Sequence, residues 1–293
     1  MMAATKPLVS SIAAPSQQGS SNALAHVEVE KVVKIFRGAK KTADVHALGP
    51  VDFSIRRGEF FAVVGPSGCG KSTLLDVMAG LSRPTAGKVV FEGSQVLGSV
   101  PSGIGAVFQD DASFYWLDVS ENIAFGLRQN GTDPEEVRRR LDYAISFMGL
   151  HDFAKAHPAQ LSCGMRQRMC IARTLVMQPR LILLDEPFGA LDQQTRLLMG
   201  EELLRLWRET GASILLITHS LDEATMLADR IGVMSARPGR FIDIITTGWP
   251  RERTSEIVSD PQFGAINAHI WTLLRKESLL SMRGQQGSAE NRG

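Results

Sequence analysis

Short apolar runs punctuate the chain, and each stops at a polar or glycine-rich break. In residues 26–36 the alternation HVEVEKVVKIF predicts a strand with Val27, Val29 and Val32 on one face. A polar connection, RGAKKTADV, follows; then ALGPVDFSIRRGEFF gives strand patterns divided at Gly49-Pro50 and Arg57-Gly58. Antiparallel β-structure is therefore expected ahead of the core. Residues 60–64, 181–184 and 214–217 are apolar at every position, which suits strands buried on both faces of a parallel sheet. KVVFEG, IGVMS and FIDIITTGW read as further strands, and GIGAVFQDD as a buried one running to Gln109.

The middle third changes period. Asp133 and Pro134 fit an N-cap and first helical residue, with Glu136 at the third position. Val137, Leu141, Ile145 and Met148 then form one apolar stripe, and Arg138, Arg139 and Arg140 its solvated face. A second helix is expected in LSCGMRQRMCIARTLVMQP, capped by Ser162 and closed by Pro179. Together these segments predict a helical insertion in an α/β domain. After Pro250 the chain turns charged, with a short helix around 265–276 and a disordered end in SMRGQQGSAENRG. Residues 1–25, rich in Ser, Ala, Gln and Pro, read as a disordered tail. The competing reading, a secretory leader cleaved near Ala23-Leu24-Ala25, lacks the apolar core of about 7–15 residues that such leaders carry.

Bulk properties narrow the choice. The 293 residues suffice for a full core, and a net charge of +1 gives no electrostatic footprint for nucleic acid. No apolar run approaches the ~18–20 residues of a membrane-spanning helix. Cys69, Cys163 and Cys170 form no C-x-x-C pair, which fits reduced thiols better than a disulfide framework or a zinc site.

Candidate chemistry sits at the ends of the apolar runs. Gly65-Pro66-Ser67-Gly68-Cys69-Gly70-Lys71-Ser72-Thr73 follows one strand and opens a helix, satisfying G-x-x-x-x-G-K-[ST]. Gly65, Gly68 and Gly70 are able to take positive φ, so successive N–H groups can turn inward around phosphate oxygens. The helix adds its positive dipole end, Lys71 a mobile ammonium, and Ser72 a hard oxygen for Mg²⁺. This pattern predicts a nucleoside triphosphate site. Asp185 and Glu186 end a buried strand and would reach the same edge, Asp185 holding the Mg²⁺ shell directly or through water and Glu186 polarising a water. His219 ends another core strand, where it would meet the γ-phosphate, and Gln109 is a polar amide at a strand end. Phe36 is either a stacking partner for adenine or a strand-end core aromatic.

As a set, these motifs resemble the ATP-binding subunit of an ABC transporter over about residues 26–250. GPSGCGKST resembles the Walker A, Gln109 the Q-loop, LSCGMRQR the signature motif, LILLDEP the Walker B, GALD with Asp192 the D-loop, and His219 the H-loop. The resemblance implies a P-loop NTPase (RecA-like) parallel-sheet core with an antiparallel β subdomain and a helical subdomain at about 113–178. Residues 251–293 would form a C-terminal extension. It further implies a head-to-tail dimer of two copies, in which Ser162, Cys163 and Gly164 of one close on ATP held by the Walker A of the other. Glu186 would be the general base, with Lys71, His219 and Gln109 around the γ-phosphate and Mg²⁺. The partners implied are an integral-membrane permease, with this chain peripheral to it on the cytoplasmic face of the inner membrane, and, indirectly, a solute-binding protein; no nucleic acid is implied. Cys163 departs from the usual second glycine of the signature, which predicts a restricted backbone there.

VMSARPGRFIDII and LDEPFGALD are similar to the nitrate, sulfonate and taurine importers, and FYWLDVSENIAFGL to their Q-loop region with its usual Leu-Pro-Trp changed. Two other classes stand beside this reading. A soluble ABC ATPase of DNA repair or translation would show paired Walker motifs or sustained heptads, and neither is present. A regulatory subunit without turnover would be expected to lack some of Lys71, Asp185, Glu186 and His219, all of which are in place.

Overall fold

The computed structural model of the chain describes residues 25–38, 43–109, 112–189 and 191–290, with side chains through 277. The tail expected at 1–25 lies almost wholly outside the described residues. The first strands are β1 (Ala25–Phe36), β2 (Val45–Arg56), β3 (Phe60–Val64), β4 (Ala86–Phe91), β5 (Ser94–Gln95) and β6 (Ile104–Val107). After the helical segment come β7 (Leu181–Asp185), β8 (Ser213–Ile217), β9 (Arg230–Met234) and β10 (Phe241–Thr246). The helices are α1 (Lys71–Met78), α2 (Val119–Gln129), α3 (Pro134–Phe147), α4 (Cys163–Leu175), α5 (Gln193–Thr210), α6 (Leu221–Leu227) and α7 (Pro261–Glu290).

Two sheets organise these elements. One has the order β10-β9-β3-β8-β7-β6, parallel except for the antiparallel edge strand β10; the other, β2-β1-β4-β5, is antiparallel throughout. Side chains on a strand alternate between faces, and the core follows that rule. Phe60, Ala62 and Val64 pack with the helices, whereas Phe61 and Val63 pack with α1 and the antiparallel sheet. The parallel strands thus carry their carboxyl ends, and the loops that follow, to one edge between two well-packed layers. That edge is where ligands bind in open α/β sheets.

Local chemistry explains several departures from the sequence pattern. Val27, Val29 and Val32 are all buried although Val32 breaks the alternation, because a bulge at Lys31, with φ 46°, returns the strand to the same face. β2 runs through Gly49-Pro50 as one irregular strand rather than two. β6 is half-buried, as an edge strand must be, not fully buried.

The helical segment gains α2, whose signature is Asp118-x-x-Glu121: Asp118 accepts from the Glu121 amide at 2.7 Å and Glu121 accepts from the Asp118 amide at 3.0 Å, a capping box. Asp133 caps α3 as expected, and Ser162 caps α4. The arginines of α3 are more than a solvated face, since Arg139 and Arg140 share Glu136 and Arg140 also donates to the Val176 carbonyl. At the other end α7 runs from Pro261 to Glu290, well beyond the short helix around 265–276 and over residues 281–290 of the stretch expected to be disordered, whose last three residues lie outside the described ones. Its first turns are anchored by Phe263, Ile266 and Ile270 in the core, and Pro261 at its first position suits a helix start.

Candidate active site

Residues 65–70 link β3 to α1 at the carboxyl edge of the parallel sheet. Gly68 and Gly70 have φ of 73° and 109°, and a Cβ on Gly70 would lie 2.7 Å from the Ala47 carbonyl oxygen. Only glycine fits there. Gly65 does not use positive φ; it serves close approach, since its Cβ would sit 3.0 Å from Cys69 Sγ and from Met234 Cβ. Gly70 is also the N-cap of α1 and, having no side chain, leaves the first amides of the helix uncapped. Those amides and the helix dipole make an anion site. Lys71, nearly buried, donates from Nζ to the Gly65 and Pro66 carbonyls at 2.9 and 3.2 Å, so its ammonium is held over the same loop. Cys69 is buried beneath, where desolvation pushes its thiol up against the pull of Lys71.

The strand ends supply the acids. Asp185, the last residue of β7, is 6% exposed, and its Oδ1 has no hydrogen-bond partner among the described residues. Burial raises its carboxyl above the ordinary carboxylate range, opposed by a hydrogen bond to Ser72. An orphaned buried carboxylate oxygen beside a hydroxyl is a pair of hard donors suited to a divalent cation.

Glu186 follows with φ 47°, a left-handed conformation uncommon for a residue with a side chain, and its amide donates to the Ile217 carbonyl at 2.8 Å. That turn brings its carboxylate to His219, with Nδ1 and Oε2 3.1 Å apart. The β8 end is itself braced, because Thr218 donates to Glu223 at 2.6 Å and Glu223 pairs with Arg196 at 3.2 Å.

These groups border one cleft of about 640 Å³. Ser67, Gly68, Gly70, Lys71, Ser72 and Thr73 form its floor, and Gln109, Glu186 and His219 one wall. Phe36, Val45 and Ala47 form another wall. The Phe36 ring is 45% exposed, with Lys34 Nζ 5.1 Å from its centre, so it is no core aromatic. Gly65, Pro66, Cys69 and Asp185 lie beneath this lining and shape it. The sequence reading missed Val45, Ala47 and Arg237 as lining residues. Val45 looked like the end of a polar connection, and RPGR served only as a mark of likeness to one group.

Ser162, Cys163, Gly164 and Asp192 are not in that cleft. They border a second one, about 790 Å³, with Leu191, Thr195 and Arg168. Ser162 accepts from the Met165 amide at 3.3 Å, and Asp192 caps α5 by accepting from the Gln194 and Thr195 amides. Hydrogen bonds from Thr195 hold the Asp192 carboxyl below its ordinary range. Cys163 is exposed at the first position of α4 and has no positive φ, so the backbone restriction expected from replacing a glycine does not arise. One chain therefore carries two separate clefts, each with a helix start at its border.

A phosphate loop with an ammonium, buried strand-end acids and an aromatic wall defines an ATP-binding site of the P-loop class. Residues 48–189 match the family model for the ABC transporter. The chain is 46% identical over 203 residues to the taurine import ATP-binding protein TauB of Pelagibacter ubique, covering 69% of this chain and 76% of that protein. It is 40% identical over 256 residues to the nitrate import ATP-binding protein NrtD of Synechocystis, covering 85% and 95%. Among solved structures, a dimeric post-hydrolysis state of the ATP-binding cassette MJ0796 bound to ADP and Pi superposes with a TM-score of 0.69 at 30% identity, covering 76% of this chain and 100% of that one. The chain belongs to the ABC transporter family, and it is an ATPase of that family. Among the described residues no helix is long and apolar enough to cross a membrane.

Proposed function

We propose that this chain is the ATP-hydrolysing subunit that powers import of a small anion, of nitrate, sulfonate or taurine-like type, through a separate membrane permease. It works from the cytoplasmic face of the membrane as a head-to-tail dimer, with a solute-binding protein acting on the permease. In this reading residues 26–250 are the ATPase domain, about 113–178 its helical subdomain, and 251–293 an extension built on α7.

Each residue then has a physical task. The α1 amides and Lys71 hold the β- and γ-phosphates, and Phe36 stacks on the base. Ser72, Gln109 and Asp185 hold Mg²⁺, directly or, for Asp185, through water, and the ion supplies positive charge to the phosphate oxygens. Glu186 takes the proton of the attacking water, while His219, which bonds it, fixes its direction and faces the γ-phosphate. Ser162, Cys163 and Gly164 of the second copy close over the γ-phosphate with the start of their helix, and Asp192 stands beside them at the interface.

The observation that supports this reading is that Lys71, Glu186 and His219 line one cleft and Ser162, Gly164 and Asp192 another of the same chain. A second copy is the simplest source of what each cleft lacks. The import role rests on the likeness to the taurine and nitrate ATP-binding proteins. The test is co-purification with a membrane protein, followed by ATP-dependent uptake of nitrate, taurine and alkanesulfonates into vesicles. Uptake of one of these that ceases with Glu186→Gln supports the proposal. A chain that binds no permease, or uptake indifferent to Glu186→Gln, overturns it.

A further inference from the structure

The phosphate loop is held from outside as well as by its own hydrogen bonds. Gly68 is exposed and takes a φ of 73°, while Cys69 after it is buried and does not take positive φ. A flip of the Gly68–Cys69 peptide would force Cys69 to positive φ, so the direction of this peptide is set by what its carbonyl and its amide bond. In a trans peptide these two groups point opposite ways. Holding the carbonyl outward is thus the same act as holding the Cys69 N–H inward. That amide lies over the Pro66 carbonyl, 3.3 Å away, beside the Lys71 ammonium.

The carbonyl is held by a residue outside the loop. Arg237 donates to the Gly68 oxygen from Nε at 3.1 Å and from Nη2 at 3.0 Å, and its side chain borders the nucleotide cleft. The segment carrying it, between β9 and β10, packs on the phosphate loop at backbone distance: a Cβ on Gly239 would come within 2.1 Å of the Cys69 carbonyl oxygen. Gly239 also donates to Ala47 and accepts from Gly49, which ties the segment to β2 and the aromatic wall. Its other end is fixed by α7, where the Ala236 amide donates to Glu277 Oε2 at 2.9 Å. The helix that presents Glu277 is itself seated in the core through Ile266 and Ile270.

We propose that Arg237 is a positioning residue for the phosphate loop and that Glu277 steadies the segment bearing it, so that the C-terminal helix sets the affinity of the chain for nucleoside triphosphate. This rests on the assignment of the P-loop cleft as the ATP site. Two charge-assisted hydrogen bonds fix the carbonyl side of a peptide whose amide side is held within the loop, and the shape of the loop around phosphate depends on that peptide.

The test uses the full chain and the fluorescent probe mant-ATP with Mg²⁺. Arg237→Ala raises the dissociation constant about tenfold, and in steady state the loss falls on KM rather than kcat. Arg237→Lys, which keeps a cationic donor, recovers part of the affinity. Glu277→Ala weakens binding less than Arg237→Ala, and Glu277→Gln, which keeps an acceptor, restores it. A dissociation constant for Arg237→Ala within about twofold of the parent overturns the proposal. So does a fall in the nucleotide-free melting temperature as large as the nucleotide-bound one, which would assign Arg237 to the fold instead. Lys71→Ala separates this from the reading beneath it. If Lys71→Ala loses mant-ATP while Arg237→Ala does not, only the Arg237 proposal fails; if Lys71→Ala binds like the parent, both fail.

Discussion

Two helix starts in this chain border clefts and are capped in opposite ways. At α1 the N-cap is Gly70, no side chain competes for the first amides, and the neighbouring Lys71 and Asp185 are buried. At α4 the N-cap is Ser162, whose hydroxyl already occupies the Met165 amide, and both Ser162 and Cys163 are exposed. The first leaves its amides free beside a buried ammonium. The second is a satisfied helix end that offers what amides remain to whatever arrives on its surface. A helix N-terminus is thus a strong anion site where it is uncapped and walled by charge, and an adjunct where it is capped and open.

The largest expected effect probes the first cleft. Glu186→Gln keeps the shape of the turn but removes the carboxylate proposed as the base, and on that proposal ATPase turnover falls about 10²–10⁴-fold while mant-ATP binding persists. Turnover at the parental rate would remove Glu186 from its role. Next in size is Gly70→Ala, which adds a Cβ against the Ala47 carbonyl at a φ of 109°. Backbone strain of roughly 1–3 kcal/mol should appear in thermal melting, together with weakened mant-ATP binding. Parental melting and binding would mean that the loop relaxes freely.

Ser162→Ala acts on the second cleft. Loss of the cap costs about 0.5–2 kcal/mol, read as a lower melting temperature, and ATPase activity falls while mant-ATP affinity of the isolated chain stays at the parental value. A change in that affinity would mean that the two clefts communicate within one chain. The smallest effect concerns the brace of the helical segment. Hydrogen bonds from Arg139 and Arg140 pull Glu136 down to about 2 from its ordinary 4.5. A depressed carboxyl pKa contributes stability above pH 4.5 that is lost as pH falls toward 2. Glu136→Gln should therefore lower the melting temperature slightly at neutral pH, with the difference from the parent closing as pH falls toward 2.

Much of this was legible in the sequence, and unevenly so. The first cleft was readable because its residues sit at the ends of apolar strands, and a parallel sheet gathers strand ends at one edge. Lys71, Asp185, Glu186 and His219 therefore followed from pattern and topology together. α2 has its start signal in the capping box Asp118-x-x-Glu121, but this box directly follows the aromatic run Phe114-Tyr115-Trp116, which has no helical period of its own. No pattern could have shown the bulge at Lys31, the left-handed turn at Glu186 or the hold of Arg237 on Gly68. Each depends on contacts between segments far apart in the chain. The second cleft was read from its resemblance alone, since an exposed Ser-Cys-Gly at a helix start has no distinguishing chemistry.

The claim that the two clefts complete each other across a dimer is tested most directly by complementation. Lys71→Ala disables the first cleft and Ser162→Arg the second, so each variant alone forms dimers without one intact composite site. Co-expressed, they form mixed dimers in which the intact P-loop of one chain faces the intact α4 start of the other. ATPase activity should reappear in the mixture while both single variants remain inactive. A mixture no more active than its components would contradict the shared site.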